Sequence, residues 1–505
     1  MYDDEPLLDP IENDQPKWDE DVRPSRARNC LFLGITFLLI ASLVSSSVLA
    51  YFAVTYRDSQ SIAEANGIRQ TVIEAGPTAA PATVVAAAAT LLPTVPVESQ
   101  APPPEINRIA LINENGQLET MSPSGEDRRV LTLASDNTRF QFPAWSPDGQ
   151  RLAIIGSRTT GGSIFVLEDA ARTGTLRENQ IYFDANRTPI YLYWSPTSEN
   201  LAFLSNEPRD SLGLNVIASD GTSDNRLLAT GAPFYWDWSE DGRRLLIHSG
   251  RAGESDALAL IDLEGQPQAN NLATPGVFQA PGIGRGGRYW AFAEEDVDGL
   301  SALVVVDTQT GERTSLNGVG SLALGWNPDG SQIAFTKGAV NGHPFWGSLN
   351  LLNVETGEEK LISTQTVLAF FWSPDGKRIA FVTIGNERND DGINVSLPHK
   401  SSRLSRPAGN TMTQFGQGFL TLSVVDIETG QGLRLLDFEP TLPYLTQFLP
   451  YFDQYALSHQ VWSPDSSAIV LPVRHNDSSS IMVVSIEGRR AYELAEGDIA
   501  FWSHN

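Results

Sequence analysis

Trp145-Ser146-Pro147-Asp148-Gly149 is a stretch to which this chain keeps returning. It recurs as WSPTS from Trp194, WSEDG from Trp238, WNPDG from Trp326, WSPDG from Trp372 and WSPDS from Trp462. A worn copy, Gly284 to Gly287 followed by RYWAFA, stands between Trp238 and Trp326. A final Trp502-Ser503 lies just before the end. These junctions are mostly 40 to 49 residues apart, the length of one propeller blade.

The motif is turn chemistry. Ser at i, Pro at i+1 and Gly at i+3 favour a type I turn, and Asp at i+2 tolerates its bridge-region backbone. Apolar runs flank it, such as Phe142 to Trp145 before and Leu152 to Ile155 after, which predicts a β-hairpin. A second turn follows in each repeat, at Asp262-Leu263-Glu264-Gly265, Glu355-Thr356-Gly357 and Glu428-Thr429-Gly430. Each repeat therefore reads as strand, SPDG turn, strand, longer loop, strand, Gly turn, strand, a four-stranded blade.

The wording WSPDGKRIAF from Trp372 and WNPDGSQIAF from Trp326 resembles the WD40-like propeller repeats of TolB, of the tricorn protease and of the prolyl-oligopeptidase and dipeptidyl-peptidase group. The resemblance covers residues 106–505 and implies an all-β propeller fold, which by itself fixes no activity. Arg108 to Ile112 matches the strand after the motif, yet no motif precedes it. The missing inner strand is at the other terminus, Asp498 to Trp502, so the expected fold is an eight-bladed β-propeller closed by pairing of its N- and C-terminal strands. If the Gly284 copy is not a blade, the count is seven.

The composition is globular, with 41% hydrophobic and 19% charged residues. A net charge of −26 argues against a nucleic-acid partner, which needs a basic face. Residues 1–29 are acidic, Pro-interrupted and aperiodic, and read as a disordered tail. Asn29 to Tyr56 carries no charge, and residues 30–56 are long enough for a transmembrane helix. Arg23, Arg26 and Arg28 before it, against Arg57 alone immediately after it, place the tail in the cytoplasm and the rest outside the plasma membrane. A cleaved signal peptide ending near Val48-Leu49-Ala50 is the competing reading. Residues 57–105 are a polar stalk followed by an Ala-, Pro- and Thr-rich linker. The single cysteine, Cys30, leaves the exported part without a disulfide.

One repeat breaks the spacing. Between Trp372 and Trp462 two insertions lie near residues 385–416 and 438–458. Long loops in compact domains are usually functional or disordered. Strand alternation places both on one face, called here the upper face. The loops or strand ends holding His343, Trp346, His399, His459 and His475 belong there too, which keeps open a His-bound transition metal against a chance cluster. The first insertion carries Arg388, His399, Lys400, Arg403 and Arg406, a charge-selective contact or a solvated flap. Within it Asn389-Asp390-Asp391-Gly392 is a fragment of a Ca²⁺ loop, without the full spacing. The second holds Tyr444, Phe448, Tyr451, Phe452 and Tyr455, either a recognition surface or a plug over the central channel.

Catalytic motifs are missing from the sequence: no G-x-S-x-G elbow, no H-E-x-x-H, no P-loop and no dinucleotide fingerprint. Some propellers of the resembled type are lyases with a His and metal centre. The sequence thus predicts a membrane-anchored, non-catalytic binding or scaffold module for envelope proteins or surface glycans, with no cofactor. A propeller hydrolase or lyase with a His/metal centre on the upper face is the alternative.

Overall fold

The turn geometry organises everything that follows. In the computed structural model of the chain, Gly149 N–H donates to the Ser146 carbonyl at 2.8 Å, and Gly149 takes a left-handed φ of 71°. Ser146 Oγ donates to Asp148 Oδ1 at 2.5 Å and accepts from Arg151 N–H at 2.9 Å. The same Ser-to-Asp bond closes the turns at Ser239–Asp241, Ser373–Asp375 and Ser463–Asp465, each at 2.6 Å. The motif is therefore a self-contained hydrogen-bonded unit, which forms wherever its four residues occur.

The structure describes residues 108–504 except 135–136, 170–178, 209–210, 252–253, 270–271, 296–299, 339–344, 386–394, 397–419 and 476–477. The tail, the 30–56 segment, the linker, and His343, Arg388, His399, Lys400, Arg403 and Arg406 fall outside the described residues. No helix among the described residues is long and apolar enough to cross a membrane.

Each turn joins two antiparallel strands, and four such strands make a sheet. The Trp145 sheet runs Arg139–Trp145, Arg151–Arg158, Gly161–Glu168, Gln180–Asp184, and the Trp194 and Trp238 sheets repeat that order. The worn copy is a sheet as well, although its inner strand is only Gly282–Ile283. Strand Glu359–Trp372 is long enough to be the outer strand of the Trp326 repeat and the inner strand of the Trp372 repeat, which fuses those two into one seven-stranded sheet. Ile499–Trp502 pairs antiparallel with Ile109–Ile112, Ile109 opposite Trp502, so the chain ends share a sheet as the sequence predicts. Val395–Ser396 from the first insertion pairs in parallel with Ala491 and Tyr492 on the outer edge of the last repeat. That insertion is therefore tied into the ladder at this point.

The tryptophans have a second duty that the turn does not explain. Trp194 Nε1 donates to the carbonyl of Ala144, the residue before the preceding motif Trp, at 3.0 Å. Trp238 reaches Tyr193 O at 3.4 Å, Trp372 reaches Gly325 O at 3.0 Å and Trp462 reaches Phe371 O at 3.1 Å. Trp145 reaches Phe501 O across the closure at 3.3 Å. These five indoles thus staple their sheets to the inner strand of the one before, whereas Trp502 Nε1 is buried without a hydrogen-bond partner. Trp326, whose predecessor is the worn repeat, has its buried Nε1 without a hydrogen-bond partner. Trp194→Phe should therefore cost about 1 kcal/mol more than Trp326→Phe, since only the former loses a bond and orphans a carbonyl. Urea unfolding of the two variants measures the difference, and equal costs would show that the staple adds nothing.

Candidate functional site

The second insertion decides what the centre of the molecule is made of. Residues 440–459 fold into consecutive helical turns, Tyr444–Phe448, Leu449–Tyr451 and Phe452–Ala456. Along that segment Tyr444, Phe448, Phe452, Tyr455 and His459 are spaced by four, four, three and four residues, one stripe of a helix. Every member of the stripe is buried. Tyr451, off the stripe, is 44% exposed.

The stripe packs against the inner strands of sheets around the ring. Tyr455 meets Phe142 and Tyr191, each at a ring-centroid distance of 4.9 Å. Phe448 meets Phe371 at 5.7 Å and Phe501 at 5.5 Å, and Phe452 meets Phe370 at 5.1 Å. Of the two readings the sequence left open for the aromatic insertion, Tyr444, Phe448, Phe452 and Tyr455 follow the plug and not the recognition surface, and His459, expected on the upper face, is buried with them. Apolar side chains at that density gain more from filling a cavity than from facing water.

Polar groups of the plug satisfy the backbone edges that a hollow hub would leave open. Gln454 Oε1 accepts from Trp236 N–H at 2.9 Å while its Nε2 donates to Trp236 O at 2.9 Å, which imitates a paired strand residue. Tyr191 Oη donates to Gln454 O at 2.8 Å, and burial holds its phenol well above the ordinary value. Thr441 Oγ1 donates to Asp498 O at 2.6 Å. His459 has Nδ1 at 2.6 Å from Ser458 Oγ and Nε2 at 3.3 Å from Phe142 O. Burial pushes that imidazole down to about 3, so it is neutral at physiological pH with both nitrogens engaged.

The remaining upper-face candidates do not converge on His459. His475 is exposed at the end of strand Ala468–His475, and Trp346 is half-buried against the core. His248 is buried, stacked on Phe278 at 4.1 Å, with Nδ1 at 2.9 Å from Gln279 O. Among the described residues no three His, Cys, Asp or Glu side chains stand together as metal ligands.

Among the described residues the upper face offers several large apolar side chains to solvent. Leu442, Leu445 and Tyr451 on the outer side of the plug are 68%, 41% and 44% exposed. Val277 is 57% exposed and lines a cleft of ≈ 380 Å³ with Pro275, Phe278, Glu295, Leu300 and Ser301. A second cleft, ≈ 470 Å³, lies between the Trp326 and Trp372 repeats and is lined by Gln332, Asn353, Lys360, Lys377, Asp426 and Glu428 among others. Its charges are mixed, as at an ordinary junction between blades. Sequence reasoning missed Leu442 and Leu445 because isolated leucines in a loop carry no signal until the partners of the neighbouring aromatics are known.

No protein-family model matches the sequence, and no curated protein does. Among solved structures the chain is similar to TolB from Acinetobacter baumannii, at 14% identity over 72% of this chain and 82% of that one, TM-score 0.33. It is similar to oligogalacturonate lyase from Vibrio parahaemolyticus, at 12% identity over 75% and 97%, TM-score 0.43. A puromycin-hydrolyzing peptidase of Mycobacterium tuberculosis aligns at 17% identity over 57% and 51%, TM-score 0.38. The likeness is one of strand arrangement, to TolB-like β-propeller proteins.

Proposed function

We propose that this chain is a membrane-anchored, extracytoplasmic propeller of eight blades that acts as a non-catalytic binding or scaffold module for envelope proteins or surface glycans. Support for eight comes from the six four-stranded sheets together with a seven-stranded sheet that divides in two within Glu359–Trp372. The anchor rests on the uncharged run from Asn29 to Tyr56 and the arginines before it.

The observation that carries the binding reading is the plug itself. A concave centre that could hold a substrate is filled by the chain's own aromatic residues, while Leu442, Leu445 and Tyr451 remain exposed on its outer side. Three large apolar side chains kept in water on one short segment are the kind of feature that contact with a partner would explain. Recognition is then a matter of surface contact on the upper face.

The test compares the full-length protein with a Leu442→Ser/Leu445→Ser/Tyr451→Ser variant in pull-downs from envelope extract and on a glycan array. The variant should lose its main partner, with truncation of an anchoring side chain costing roughly 2 kcal/mol or more. Identical partner profiles would remove the upper face from consideration. Protease added to intact cells with any outer layer opened should release a fragment beginning in residues 76–105. Cutting of the tail instead would reverse the orientation.

A further inference from the structure

The worn repeat keeps its place in the ring without the device that holds most of the others. It has no motif Trp, its inner strand pairs with Tyr289–Glu295 only at Gly282 and Ile283, and the indole of the next repeat finds no acceptor on it. In place of the staple stands a row of carboxylates. Asp453 Oδ2 accepts from Ala280 N–H at 3.1 Å, Asp237 Oδ2 from Ile283 N–H at 2.8 Å, and Glu240 Oε2 from Gly286 N–H at 2.9 Å. The three donors are every third residue of one segment, and the acceptors come from the plug and from the Trp238 repeat. Between them His248 Nδ1 faces Gln279 O, and Gln279 Nε2 donates to Pro450 O at 3.2 Å.

We propose that the segment from Phe278 to Gly287 is the opening seam of the ring, a proton-dependent junction that loosens when the buried carboxylates holding it ionise. The inference does not depend on the binding reading. Asp237 and Asp453 are both buried. Their other oxygens take Trp238 N–H at 2.8 Å with Tyr193 Oη at 3.3 Å, and Gln454 N–H at 3.0 Å. The titratable groups facing Asp237 are Tyr193 and, further off, Tyr191. Asp453 is met by backbone amides, with His248 beyond Gln279. Neither carboxylate has an ion-pair partner among the described residues, so a negative charge on either is held by amides and a hydroxyl alone.

The direction of the effect follows from proton uptake. Burial pushes Asp237 up to about 6 and Asp453 up to about 7, whereas a carboxyl opened to water titrates near 3.9. Between about pH 4 and pH 7 the closed seam therefore holds more protons than the open one. Closure is favoured at mildly acidic pH, and opening gains as pH rises through 6 and 7. The inner strand Pro189–Trp194 is held by the Tyr191 hydroxyl on Gln454 O and by the Trp194 indole on Ala144 O, neither of which titrates between pH 5.5 and pH 8, so it serves as the control.

Hydrogen–deuterium exchange on the full chain at pH 5.5 and pH 8, corrected for intrinsic amide chemistry, reads the seam directly. Peptides over 278–287 should open on the order of a hundredfold more at pH 8 if both carboxylates open, while the inner strand Pro189–Trp194 keeps its protection. Asp453→Asn and Asp237→Asn each keep an acceptor oxygen but cannot ionise, and each should flatten the pH response of the seam. Equal protection of 278–287 at both pH values in the unmodified protein would overturn the proposal, whether or not the variants fold. So would an undiminished response in folded variants.

Discussion

Deleting residues 497–505 from the chain should leave a protein without a cooperative unfolding transition. The lost strand pairs with Ile109–Ile112 over four residues, and Ser503 N–H also donates to Arg108 O at 2.9 Å. Ile499, Phe501 and Trp502 are fully buried, and Phe501 O is the acceptor for Trp145 Nε1. Burying three such side chains contributes roughly 1.5–3 kcal/mol each, before the ladder bonds are counted. The total rivals the whole stability of a typical domain, about 5–15 kcal/mol. It would also uncover the backbone edge of Ile109–Ile112, a template for pairing between molecules. Scanning calorimetry and size exclusion should show no transition near that of the intact chain, together with aggregation. An unchanged melting curve would mean that the ring is closed somewhere else.

Truncating the plug should have the next largest effect. Phe448 is completely buried and touches Phe371, Tyr444, Tyr455 and Phe501 at ring-centroid distances between 5.2 and 5.7 Å. Phe448→Ala leaves a void bounded by inner strands that cannot collapse inward, so it should cost about 3–5 kcal/mol. Tyr451→Ala, three residues on but outside the stripe, should stay within about 0.5 kcal/mol. Chemical denaturation of the two variants side by side gives the answer. Comparable losses would mean that the stripe is not the buried face.

The repeat, the SPDG hairpins and the pairing of the chain ends could all be read from the sequence for one physical reason. Each is encoded locally, in four turn residues and the period-two apolar runs beside them, and the incomplete first repeat leaves a gap that only the last strand fits. The aromatic stripe was also present in the spacing from Tyr444 to His459. A stripe shows that one face will be covered, however, and does not say by what. The tertiary structure decided that, because the covering groups Phe142, Tyr191, Phe371 and Phe501 come from sheets far away in the chain. The same holds for the carboxylates. Asp237 and Asp453 look like ordinary acidic residues in sequence; Asp237 meets the worn repeat only where the two neighbouring repeats stand side by side, and Asp453 only once the plug is seated. The indoles divide the matter in one residue: Trp194 marks its turn by local chemistry, but its acceptor, Ala144 O, exists only because two blades stand side by side.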